Sequence, residues 1–234
     1  MTPIDLEAFF YYYRRLPHQM AAVQALANAM PPRLLQQDAE WVQTYRAAGK
    51  QPDKKPPTNP VEAPYFTQRD SRTEHAYRMC FSSSCAMMLE ALLPGTLNGP
   101  NGDDAYLGRV LKYGDTTDPT AQVKALASFG VVSAFTRRAT FGMIEDQIDQ
   151  GIPVPLGFLH SGPSTAPKGG GHWLCCIGYT RDTLIVNDPF GEMAVATGGH
   201  MNDDGEMLHY SKTNFGPRWE VEGPGSGWAI IASV

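Results

Sequence analysis

The sequence is short of basic runs, long apolar stretches and cysteine, and each shortage removes a class of function. Lys and Arg never cluster beyond the pairs Arg14-Arg15, Lys54-Lys55 and Arg137-Arg138, and the net charge is −5. Such a chain offers a phosphate backbone nothing to hold, so nucleic acid is not an expected partner. No apolar run approaches membrane-spanning length, and the N-terminus MTPIDLEAFF lacks the basic region and continuous apolar core of a secretory signal. Synthesis in the cytoplasm without Sec export, and no membrane insertion, are therefore expected. The four cysteines form no CxxC pair and no finger-like set with histidine, so no metal or other cofactor is expected. Cys175 and Cys176 are adjacent in an apolar, strand-like run, where neighbours point to opposite faces. A bridge between them would be strained, so free thiols are expected.

What is present is a chain of 234 residues, 42% hydrophobic, enough for one main domain with a small appendage. Residues 1–48 read as a helical N-terminal layer: Leu16, Met20, Val23, Ala27 and Met30 make a helical stripe, Pro31-Pro32 stops it, and a second helix follows to Ala47. The aromatic cluster FFYYY at 9–13 is expected to pack against the main domain. A Pro/Lys-rich stretch at 49–62 reads as an exposed connector, leaving 63–234 as the main domain. There a helix is expected after Arg78, another from Asp118-Pro119 to Gly130, and a third over 141–150. Short strands are expected at 131–136 and in GIPVPLGFL, the latter near a sheet edge because its prolines cannot donate to a ladder. HWLCCIGY, TLIVND and GWAIIASV then read as three strands of an antiparallel sheet. Helices first and sheet second is an α+β order. The loops NGPNGDD at 98–104 and MNDDGEM at 201–207 lack EF-hand spacing and read as solvated turns. Trp219 and Trp228 frame either a groove or ordinary strand packing.

Chemistry centres on RMCFSSSCAMMLEALLPG. As a helix, this run places Cys85, Met88, Leu89 and Leu92 on one apolar stripe, which makes Cys85 a core residue. Cys80 lies off that stripe, just before three serines suited to helix caps and first turns, where unpaired N–H groups and the helix dipole stabilise a thiolate. A base would come from His172, which follows three glycines at the mouth of a strand. By itself it could be an ordinary strand-end histidine, and His18, His75, His160, His200 and His209 read as surface or loop residues. In a hairpin of HWLCCIGY with TLIVND, however, the start of one strand faces the end of the other, bringing Asp188 beside His172. A carboxylate there fixes the imidazole's tautomer and supports its charged form. Gln68, in APYFTQRD, could supply an oxyanion donor together with the backbone N–H of Cys80.

The segments APYFTQ, CFSSSCAMM, GHWLCCIGY and LIVNDPFG together resemble, in order and separation, the C39-like branch of papain-like cysteine peptidases, over residues 63–191. The resemblance implies a papain-like α+β fold, with Cys80 as nucleophile, His172 as base, Asp188 as its orienter and Gln68 lining the oxyanion hole. The family usually has glycine and proline after the cysteine, whereas this chain has Phe81 and Ser82, so a differently shaped active-site mouth is expected. Nothing here resembles the transporter segments of bacteriocin-leader peptidases. The expected activity is that of a cysteine peptidase or amidase acting on a peptide or peptidoglycan-peptide substrate, in the manner of phage or bacterial cell-wall endopeptidases, at the wall or in a host cell. The alternatives are acyl transfer by the same triad and a non-catalytic peptide-binding, virion or effector protein of this fold.

Overall fold

The computed structural model describes residues 59–233. The helices expected within 1–48, the FFYYY cluster, His18 and most of the connector lie outside the described residues. The connector's described end is docked. Val61 is buried and its N–H donates to the Ile177 carbonyl at 2.6 Å. The Asn59 side chain pairs with both backbone polar groups of Tyr179, each at 2.9 Å.

Helix α1 (Cys80–Leu92) packs against the sheet on one side and against α2 (Gly102–Val110) and α3 (Pro119–Ser128) on the other. The single expected stripe understates its burial, because every residue from Cys80 to Leu89 is inside. The serines make this possible. They do not cap the helix: Ser82 pairs with Thr116 at 2.7 Å and accepts from Gln122 at 2.9 Å, Ser83 donates to Asp103, and Ser84 bonds back to the Cys80 carbonyl at 2.8 Å. Each buried hydroxyl is thereby satisfied, which lets a polar helix face enter the interior. The NGPNGDD segment accordingly departs from a solvated turn. It enters α2 at Gly102, and Asp103 is fully buried, a position that pushes its carboxyl up to about 6. Helix α3 begins as expected, with the Asp118 side chain accepting from the Thr120 N–H at 2.8 Å.

The sheet is antiparallel, with strand order β1-β6-β2-β3-β4-β5. Its strands are β1 (Val132–Ala139), β2 (Val154–Ser161), β3 (Lys168–Tyr179), β4 (Thr183–Asn187), β5 (Leu208–Ser211) and β6 (Gly227–Ser233). Against expectation, the proline-containing β2 is central, with β3 on one side and β6 on the other. β6 engages it only at Leu156 and Gly157, beyond both Pro153 and Pro155, so the missing donors precede that ladder. Helix α4 (Phe141–Asp149) and α5 (Lys212–Trp219) complete the described α-helices.

Alternation along β3 divides the interior. Trp173, Cys175 and Ile177 join α1 in one apolar cluster, while Leu174 and Cys176 join Phe215 and Trp219 in a second. All four cysteines are free, and the vicinal pair is split between the two clusters. The result is the expected α+β arrangement of helices and an antiparallel sheet. Among the described residues no helix is long and apolar enough to cross a membrane.

Candidate active site

The β3–β4 hairpin pairs Cys175 with Asn187 and Cys176 with Val186. One residue past β4, Asp188 therefore lies on the face of the sheet that carries His172. The His172 Nε2 is 2.6 Å from Asp188 Oδ1, and both side chains are buried. The same carboxylate oxygen accepts from the Phe190 N–H at 3.0 Å, and Oδ2 accepts from the Tyr210 hydroxyl at 3.2 Å. A buried carboxylate is sustained only by this density of donors.

On α1, Cys80 is 9% exposed, whereas Cys85, Cys175 and Cys176 are at 0%. Its side chain is near enough to the His172 ring to raise the imidazole's pKa. Burial alone would lower the His172 pKa, but the Asp188 carboxylate and the Cys80 side chain outweigh it and hold the imidazole at about 10. Asp188 is the complement: burial would raise its carboxyl, and the His172 and His200 rings bring it down to about 2. The pair is thus charged at neutral pH. Burial pushes the Cys176 thiol up to about 12 and those of Cys85 and Cys175 higher still.

Gln68 opens a 3₁₀ turn, Gln68–Asp70, between the two halves of the site. Its backbone N–H donates to the Pro189 carbonyl at 2.9 Å, next to Asp188, and its side-chain Nε2 donates to the Ala76 carbonyl at 2.7 Å, in the turn leading into Cys80. The amide therefore retains a second N–H. Phe81 does not stand across the mouth of the site. It is 1% exposed and stacks on Trp173 with ring centroids 3.5 Å apart.

Two histidines read as surface or loop residues stand here instead. His200 Nε2 is 3.7 Å from Asp188 Oδ2, and its ring centroid is 4.9 Å from that of His172. His160 lies 6.0 Å from His172 by ring centroids and is anchored to the Gly170 carbonyl at 2.7 Å. Ligand atoms of His172, Asp188 and His200 all fall within 4.8 Å of one another, so this trio could hold a divalent ion. No local pattern marks His200 in the sequence; the long β4–β5 connection delivers it by folding back over Asp188.

Glycine permits that fold. Gly205 offers its carbonyl to the Asp188 N–H at 2.7 Å, and a Cβ there would land on the Asp188 carbonyl oxygen. Because the obstruction is backbone, no rotamer relieves it. Gly205→Ala is expected to destabilise the protein by roughly 2–3 kcal/mol, visible as a lower urea midpoint at unchanged slope.

The fold is α+β and brings Cys80 and Asp188 to the His172 ring. The chain belongs to the Peptidase_C39 like family, whose profile matches residues 61–222. Similar solved structures include the peptidase domain of Streptococcus ComA, a bifunctional ABC transporter of a quorum-sensing pathway, at 19% identity, covering 67% of this chain and 92% of that one with a TM-score of 0.44. A double-glycine-motif protease from an AMS/PCAT transporter, in complex with leader peptide, is 13% identical over 74% of this chain and 93% of that one, TM-score 0.42. A candidate C39-like peptidase from Bacillus anthracis is 14% identical over 74% of this chain and 98% of that one, TM-score 0.49. No curated protein matches the chain.

Proposed function

We propose that the protein is a cysteine peptidase. The Cys80 thiolate attacks the carbonyl carbon of a peptide bond, and His172 gives the thiol's proton to the leaving amine as the C–N bond breaks. Water then attacks the resulting thioester, with His172 as base, releasing a carboxylate and regenerating the thiol. Asp188 fixes the imidazole and supports its charge. The second Nε2–H of Gln68 and the backbone N–H of Cys80 receive the developing oxyanion. The observation that carries this reading is the environment of the His172 ring, which has a buried carboxylate at 2.6 Å and, with the Cys80 thiol acting in the same direction, a pKa held at about 10.

Family and site argue for a peptide bond without specifying its source, so purified cell walls and soluble peptides belong in the same assay, followed by release of amino groups. Free carboxylates among the products indicate hydrolysis; a new amide would indicate acyl transfer. The chemistry is tested before any substrate is known. Iodoacetamide at neutral pH is expected to modify Cys80 at least ~100-fold faster than the other three cysteines, read by peptide mass spectrometry. Equal sluggishness of all four would remove the activated thiol and leave a peptide-binding module.

A further inference from the structure

A cavity of about 250 Å³ lies beside the His172 strand, and the chemistry above does not use it. Gly171 and Trp173, the residues on either side of His172, line it, together with Phe158, Trp219, Val221 and Trp228. Its room depends on an omitted side chain. Gly157 is paired with Trp173 across β2 and β3, and a Cβ there would come within 2.7 Å of the Trp173 ring.

The walls are mostly aromatic and apolar, with two charged lining residues, Arg218 and the exposed Glu222. Trp173 stacks on Phe81 with an interplanar angle of 4°, the Trp219 indole N–H donates to the Trp228 carbonyl at 3.0 Å, and the Arg137 guanidinium lies 4.5 Å over the Trp228 ring. The lining arginine, Arg218, is fully buried and its guanidinium donates to the backbone carbonyls of Val195, Leu159, Ser161 and Gly162, so it has little to offer a ligand. At the mouth stand two exposed large hydrophobics, Trp228 at 38% and Val221 at 54%. Along the approach to His172 the backbone is bare, because a Cβ at Gly170 or Gly171 would meet nothing within 4 Å.

We infer that this cavity is the specificity pocket of the enzyme and takes one bulky apolar side chain, aromatic or long aliphatic, from the peptide whose carbonyl Cys80 attacks. The inference rests on the cysteine-peptidase reading. The occupant follows from three observations. The volume suits a single large side chain and is too small for a helix or a second protein. The lining is mostly apolar and aromatic: Arg218 is taken up by backbone carbonyls, the exposed Glu222 repels an acidic occupant, and a basic one would lose hydration among the indoles. The cavity is tied to the proposed reacting residues through the chain: its lining residue Trp173 follows His172, and Trp173's stacking partner Phe81 follows Cys80.

The test uses the full-length chain and internally quenched octapeptides in which each position in turn carries Gly, Asp, Lys, Leu or Phe. At one position Leu and Phe are expected to exceed Gly, Asp and Lys in kcat/KM by about 10- to 100-fold. Trp228→Ala, and independently the exposed Val221→Asp, should each compress that ratio at least about fivefold. The same peptides are titrated against Cys80→Ala by tryptophan fluorescence, so that binding is read without turnover. Selective binding without hydrolysis by the wild type would keep the pocket and overturn the peptidase reading. Hydrolysis with no preference at any position, or a preference that both variants leave intact, would overturn the pocket and keep the peptidase. Absence of any selectivity in both binding and turnover would also overturn the pocket.

Discussion

Cys80→Ser is expected to lower peptide hydrolysis by at least about 10⁴-fold while leaving the urea midpoint near that of the wild type. The two side chains are nearly isosteric, and the site holds position 80 through the α1 backbone and its packing rather than through the sulfur. What the exchange removes is acidity: a hydroxyl beside the same imidazole yields far less anion than a thiol. Cys85→Ser is the matched control. Cys85 is fully buried in the core, with its thiol pushed up by burial, so its replacement should cost about 1–2 kcal/mol of stability and spare the chemistry. Comparable loss of hydrolysis in both variants, measured in single turnovers, would show that position 80 holds no special role.

Asp188→Asn should produce the second largest loss, on the order of 10³- to 10⁴-fold in kcat, because the buried imidazole then faces an amide that cannot support its charge. The pH dependence distinguishes this from general damage. With His172 held at about 10, the charged imidazole persists well above neutrality; without the carboxylate its pKa falls, and the basic limb of the rate profile moves to lower pH. Stability changes with a defined sign. The folded pKa of His172 lies above its unfolded value of 6.5, so this contribution is full below that value and disappears as pH rises through about 10. The folded pKa of Asp188 lies below 3.8, so its contribution is present above that value and is lost as pH falls through about 2. Urea midpoints across the pH range should therefore fall at both extremes in the wild type and flatten in the variant.

The parts of the site that rest on local patterns were legible in the sequence. Strand alternation in HWLCCIGY and TLIVND, read with the hairpin pairing, puts Asp188 on the same face as His172. The serines behind Cys80 signal a helix start, and the helix does begin there, although they serve buried partners and not the cap. What escaped depends on contacts between distant segments. Nothing local says that Ser82, Ser83 and Ser84 will find Thr116, Gln122, Asp103 and a backbone carbonyl, so α1 looks half-exposed until α2 and α3 are in place. The central position of β2 was hidden because prolines signal an edge, and only the late start of the β6 ladder reconciles the two. His200 gave no signal, since a connection rich in glycine and aspartate has no period, and its path is fixed by a close backbone approach at Gly205. β5 has four residues and α5 contains Gly216 and Pro217, so neither offers enough pattern to register.

The proposed nucleophile belongs to an early helix, whereas its imidazole and carboxylate arrive on a hairpin near the other end of the domain. A nascent chain emerging from the ribosome thus carries an ordinary thiol until that hairpin has been made and has docked. Closing contacts so widely separated in sequence is among the slowest steps of folding. The proposed hydrolytic power is therefore latent throughout synthesis, and a half-made copy is harmless to itself and to its unfolded neighbours.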